Sequence, residues 1–161
     1  MLDGKGIKQI IMYTTQDYLL KLGTILGQPV INGIISYEIS GHWDNDKEAC
    51  ALIAEFRLKQ KELSLLKKSI HATIQEISKS YITQRIRVGK SVRSGFMRGL
   101  FGSRTIGRYN MLQRNGITIH KDQAVRPYRQ LIENIDNIIL AYEKQKVAVE
   151  EKLLSDNKLR G

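Results

Sequence analysis

Residues 44–80 read DNDKEACALIAEFRLKQKELSLLKKSIHATIQEISKS, and neither Gly nor Pro occurs among them. Ala49, Leu52, Phe56, Lys59, Leu63, Leu66, Ile70, Thr73, Ile77 and Ser80 alternate by three and four, and all but Lys59, Thr73 and Ser80 are apolar. At 3.6 residues per turn this spacing draws one heptad-like apolar seam along a helix of about 35 residues, on the order of 50 Å long. The start is marked as clearly as the body. Asp44, Asn45 and Asp46 are all competent N-caps, and Glu48 stands three residues after Asn45, where a carboxylate completes a capping box.

The C-terminal part repeats the design. Tyr128, Leu131, Ile135, Ile138, Tyr142, Gln145, Val149 and Lys152 alternate in the same way, and Ile132, Ile139 and Leu153 widen the stripe. Asp122 as a cap, or Pro127 as the first helical residue, is the expected start, because a proline at that position loses nothing by having no N–H. Two such helices must bury their stripes. The economical arrangement is an antiparallel coiled-coil-like hairpin; pairing between chains into a dimer or larger bundle is the rival.

Residues 1–43 read as a small mixed unit. Ile7, Ile11 and Tyr13 suggest a short strand. Thr14, with Asp17 three residues on, opens a helix carrying Tyr18, Leu19, Leu22, Ile25 and Leu26, which Gly27 and Pro29 end. PVINGIISYEIS at 29–40 is rich in β-branched residues, and Asn32-Gly33 is a two-residue hairpin signal. The expected fold is therefore mainly α: two long amphipathic helices in a hairpin, with a small N-terminal α/β-like unit containing a β-hairpin. The expected divisions are a mixed unit at 1–43, a long helix at 44–80, a basic Arg/Gly/aromatic segment at 81–121 and a second long helix at 122–158.

Charge singles out the middle of the chain. Residues 77–121 contain no Asp or Glu and ten Lys or Arg, which equals the whole formal charge of +10. Seven of the eleven arginines fall there against three of the fifteen lysines. Guanidinium pairs phosphate oxygens bidentately and stacks on flat rings, whereas a merely solvated face would be served as well by lysine. Tyr81, Phe96, Phe101 and Tyr109 are interleaved with the arginines, a composition suited to single-stranded nucleic acid. Arg85, Arg87, Lys90, Arg93, Arg98, Arg104, Arg108 and Arg114 are the candidate phosphate contacts, and Phe96, Phe101 and Tyr109 the candidate stacking residues. Gly95, Gly99, Gly102 and Gly107 weaken any helix by about 1 kcal/mol each relative to Ala, so short turns or order gained on binding are expected beyond Val92.

Other chemistry finds little support. Val88-Gly89-Lys90-Ser91 resembles the end of a phosphate loop, but Gln84 stands where the first glycine belongs and no strand precedes it. Asp44, Asp46, Glu48 and Glu55 fit four positions of a calcium loop, yet Ala49 replaces the glycine of its turn and helix capping accounts for the acids. His42, His71, His120 and the single Cys50 have no metal-ligand spacing, and no strained nucleophile elbow is present. No cofactor, metal or catalytic residue is expected. One cysteine cannot form an intrachain disulfide, and no apolar run is long enough to span a bilayer, so a cytoplasmic setting is expected. The functional expectation is non-catalytic binding of an anionic polymer, nucleic acid first, without strong sequence preference. The alternative is a coiled-coil scaffold or adaptor whose basic tip meets an acidic protein or an anionic membrane surface, with a homo-oligomer formed through the helical stripes.

Overall fold

The computed structural model describes residues 13–28, 39, 41–91 and 103–159. Three helices make up the described chain: α1 (Thr15–Leu26), α2 (Asp46–Ser91) and α3 (Ser103–Leu159). Their order along the chain and their packing produce a three-helix bundle, and no strand occurs among the described residues.

Local chemistry accounts for the helix ends. The Asp17 backbone N–H donates to Thr14 Oγ1, and the Asp17 carboxylate accepts from the Thr14 backbone N–H at 2.7 Å, a reciprocal capping box that opens α1. Gly27 closes α1 at φ 67, in the left-handed region that an L side chain seldom adopts. At the head of α2, Glu48 donates its backbone N–H to Asn45 Oδ1 and accepts from Asn45 Nδ2 and the Asp44 backbone N–H. Gly41 approaches α2 so closely that a Cβ there would collide with the Leu52 side chain.

α2 and α3 run antiparallel, as their cross-links show. Arg57 pairs with Glu150 at 3.3 Å, Gln60 Nε2 donates to Glu143 at 2.8 Å, and Lys67 pairs with Asp136 at 2.6 Å. A step of seven residues up α2, from Gln60 to Lys67, is matched by seven down α3, from Glu143 to Asp136. α1 lies along both. Its Tyr18 hydroxyl meets Ser69 and Thr73, and Lys59 Nζ donates to the Ile25 carbonyl near its other end, so α1 is antiparallel to α2 with its N-terminus toward residue 73. On the α3 side the Tyr128 hydroxyl donates to the Tyr13 carbonyl at 3.1 Å, and the Tyr18 and Tyr128 rings meet edge-on.

The core follows the stripes. Phe56, Leu63, Leu66 and Ile70 of α2 and Leu131, Ile132, Ile135, Ile138, Tyr142 and Val149 of α3 close around Tyr18 and Leu22 of α1. Burying an aliphatic side chain of this size completely stabilises by about 1.5–3 kcal/mol.

Two expectations are corrected here. The architecture is a three-helix bundle, not a two-helix hairpin beside a separate α/β-like unit. Stripes widened by Ile132 and Ile139 on α3, and by Ile53 and Ile74 on α2, give each helix more apolar surface than one partner covers, and α1 packs on the pair with its Tyr18 hydroxyl on Thr73. The β-hairpin expected at 29–40 falls almost wholly outside the described residues. The second long helix begins at Ser103 rather than at Asp122 or Pro127, and α2 continues to Ser91. Pro127 lies inside α3 with its ring exposed, while Val125 and Leu131 on either side of it are buried. That packing outweighs the loss of one hydrogen bond on the solvent face.

Candidate functional site

The antiparallel register sends the C-terminal end of α2 and the N-terminal end of α3 in the same direction, away from α1. The last fully packed pair in that direction is Ile77 and Val125; no side chain described beyond them is buried. From Ile77 to Ser91, α2 extends for about 20 Å as part of a two-helix arm. This arm carries the acid-free stretch.

Arg85 and Arg87 stand exposed on α2, and Lys90 lies in its last turn. Arg104 lies in the first turn of α3; Arg108, Tyr109 and Arg114 follow, all exposed. Arg93, Phe96, Arg98 and Phe101 lie outside the described residues. The fold therefore brings Arg85 and Arg87 to the same end of the molecule as Arg108, Tyr109 and Arg114, although Arg87 and Arg108 are far apart in sequence. Val88–Ser91 is helical, which is not the conformation of a phosphate-cradling loop.

The electrostatics of the two ends differ. In the bundle some cations are matched, Arg57 to Glu150, Lys67 to Asp136 and Lys146 to Glu143, while Lys61, Lys68, Arg126 and Arg129 meet no acid among the described residues. In the arm, no ion pair or side-chain hydrogen bond among the described residues involves Arg85, Arg87, Arg108 or Arg114. Lys121 meets the neighbouring Asp122 at 3.7 Å. Four exposed guanidiniums that meet no acid among the described residues, at one end of the molecule, concentrate positive potential where a polyanion can reach it.

The inward-facing row of the arm also changes character. On α3 the half-buried Asn110, Gln113, Ile117, Lys121 and Ala124 continue the packed row that begins at Tyr128 and Leu131, but three of these five are polar. Asn110 Oδ1 is shielded from solvent and has no donor among the described residues. Gln113 Nε2 donates to the Tyr109 hydroxyl at 2.7 Å. Meanwhile Ile82, Ile86, Met111, Leu112 and Ile119 stand more than half exposed on outer positions. The sequence reading did not single out these aliphatic residues. Their signal was available in Ile82 and Ile86, which share a helix face away from the Ile70–Ile77 seam.

Elsewhere, perturbed groups are structural. Hydrogen bonds from the Thr14 hydroxyl and backbone hold the Asp17 carboxyl below its usual range. Hydrogen bonds from Lys146 and Gln60 do the same for Glu143. Burial raises the phenols of Tyr128 and Tyr142. Among the described residues no three His, Cys, Asp or Glu side chains gather as a metal site would need, and no helix is long and apolar enough to cross a membrane. The chain matches no protein-family model, no curated protein and no solved structure.

Proposed function

We propose that this protein is a non-catalytic, cytoplasmic nucleic-acid-binding protein that grips the phosphate backbone with its basic two-helix arm, without strong sequence preference. The observation that carries the reading is the set of exposed guanidiniums on Arg85, Arg87, Arg108 and Arg114, from two helices, with no acidic residue between positions 77 and 121 to neutralise them. Arginine geometry suits phosphate, and Tyr109 supplies an exposed ring among the charges. The bundle of α1, α2 and α3 acts as the rigid base that presents the arm.

The test is salt-dependent binding. Fluorescence anisotropy with a labelled oligothymidylate gives an affinity that falls steeply with salt, as phosphate contacts release counterions. Changing Arg85, Arg87, Arg108 and Arg114 together to Gln lowers the magnitude of the log–log slope by about three, at about 0.7 per lost phosphate contact on a single strand. A flat salt dependence in the unaltered protein sinks the reading.

The exposed Ile82, Ile86, Met111, Leu112 and Ile119 favour a second reading, adsorption to an anionic membrane surface, where aliphatic and cationic side chains act together. Flotation with phosphatidylserine-containing vesicles, without binding to the oligonucleotide, replaces the first reading with the second.

A further inference from the structure

The Ala49–Ile77 seam of α2 is spent inside the bundle, but α2 carries a second seam of the same period. Steps of seven from Leu58 reach Leu65, Ala72, Lys79 and Ile86. The positions four residues before these are Ala54, Lys61, Lys68, Gln75 and Ile82. All of them are exposed, and Leu58, Leu65, Ile82 and Ile86 each show more than half of their surface. Leu58 and Leu65 follow the core residues Phe56 and Leu63 by two, which is about 200° around a helix. The neighbours of α2 hold its other flanks: α3 meets Arg57, Gln60 and Lys67, and α1 meets Lys59, Ser69 and Thr73. The second seam therefore faces away from both. Scattered exposed leucines need no account, but a repeat of three and four carried from Ala54 to Ile86 is the pattern of a helix-pairing surface.

α3 offers the contrast. Its exposed Leu140, Val147 and Leu154 also recur every seven residues. The positions four before them are Asp136, Glu143 and Glu150, which serve the cross-links to α2. One apolar row without a second does not make a seam.

We propose that the outward face of α2 pairs with the same face of a second copy, in antiparallel orientation, to form a weak dimer. This stands on α2 alone and holds whether or not the arm binds nucleic acid. A face about 50 Å long and 10–12 Å wide is covered by a helix of equal length, and the chain supplies one. At about 500–600 Å² per copy, the pair buries just over 1,000 Å², the lower bound for a specific interface. Charge selects both the occupant and its direction. Glu55, Glu62 and Glu76 stand one residue after Ala54, Lys61 and Gln75, so the face carries both signs and can meet itself. The chain outside 77–121 has no net charge and does not repel a copy. A parallel pair would set Lys61 on Lys61 and Lys68 on Lys68, and would bring two acid-free stretches side by side. Reversal sets the row of Lys61 and Lys68 against the row of Leu58 and Leu65. There the lysine stems pack on leucine while their ammonium groups reach outward, and the two basic arms part to opposite ends.

Sedimentation velocity on the full chain, freed of nucleic acid by a high-salt wash, shows the mass rising toward twice that of one chain between micromolar and submillimolar concentration. Leu58→Glu with Leu65→Glu, checked for helix content by circular dichroism, weakens the association about a hundred-fold or more, because a carboxylate buried there lacks a partner. Leu140→Glu with Leu154→Glu on α3 changes it less than about three-fold, since those side chains stay in water. A further readout leaves the seam unaltered. Cys50, the one thiol, is exposed near the N-terminal end of the seam. Nitroxides attached there stand about 50–60 Å apart in the antiparallel pair and about 20 Å or less apart in a parallel one. A chain that stays monomeric throughout overturns the proposal, as does equal weakening by the two pairs of substitutions. A short distance between the Cys50 labels overturns the antiparallel arrangement.

Discussion

Tyr18 reaches from α1 into a site closed to solvent and still satisfies its hydroxyl, at 2.7 Å from Thr73 Oγ1 and 3.1 Å from the Ser69 carbonyl. A buried phenol without partners would forfeit about 1–3 kcal/mol, so these bonds favour one position of α1 along α2. Tyr18→Phe keeps the ring and removes the bonds; the expected loss is about 1–2 kcal/mol in urea denaturation. Leu22→Ala, at a position with no exposure, leaves a cavity and costs about 2–5 kcal/mol in the same measurement. The titratable groups add a pH dependence with two signs. Asp17 and Glu143 have lowered pKa values, so their contribution is present above the ordinary carboxylate range and is lost as pH falls through their folded values. Tyr128 and Tyr142 have raised values, so their contribution is full below the ordinary phenol range and is lost as pH rises through theirs. Thermal melts across pH show a plateau between these limits, falling on the acid side with the carboxylates and on the alkaline side with the phenols.

Helix α3 spans 57 residues and contains Pro127 in its interior. Replacing that proline with alanine restores an N–H donor and relieves the ring's clash with the preceding turn; the expected gain is about 1–3 kcal/mol, read as a higher melting temperature. Thr14→Ala removes the α1 cap and costs about 1 kcal/mol. The ends of α1 and the start of α2 were legible in the sequence because caps are local: Thr14 with Asp17, Gly27, and Asn45 with Glu48 each act within a few residues. The seams of α2 and α3 were legible for the same reason, since 3.6-residue periodicity is written along the chain. The start of α3 was not. Gly107 reads as weakening a helix and Pro127 as the first residue of one, and only packing across the pair, at Val125 and Leu131, tells that the helix persists through them. Nor was the docking of α1, which depends on partners 51 to 55 residues away.

At the scale of the whole molecule, the chain divides its labour by length. The bundle holds the buried side chains and the cross-helix ion pairs; the arm holds arginines with no ion pair among the described residues, a polar inner row and exposed aliphatics. The concentration of arginine in 77–121 was legible from composition alone. Its placement at one end of the molecule was not, because that depends on the antiparallel register of α2 and α3. Substitutions in the two regions accordingly differ in kind. Core changes such as Ile135→Ala lower stability by about 2–5 kcal/mol, while exposed Arg→Gln changes in the arm leave the melting temperature within about 0.5 kcal/mol equivalent and alter binding. Cys50, exposed in the first turns of α2, is the chain's one thiol. Along a straight helix it stands about 55 Å from Arg87. A donor dye attached there would sit at the far end of a natural ruler. Energy transfer to an acceptor on either terminus of a bound oligonucleotide would then report which way the strand's 5′ end faces.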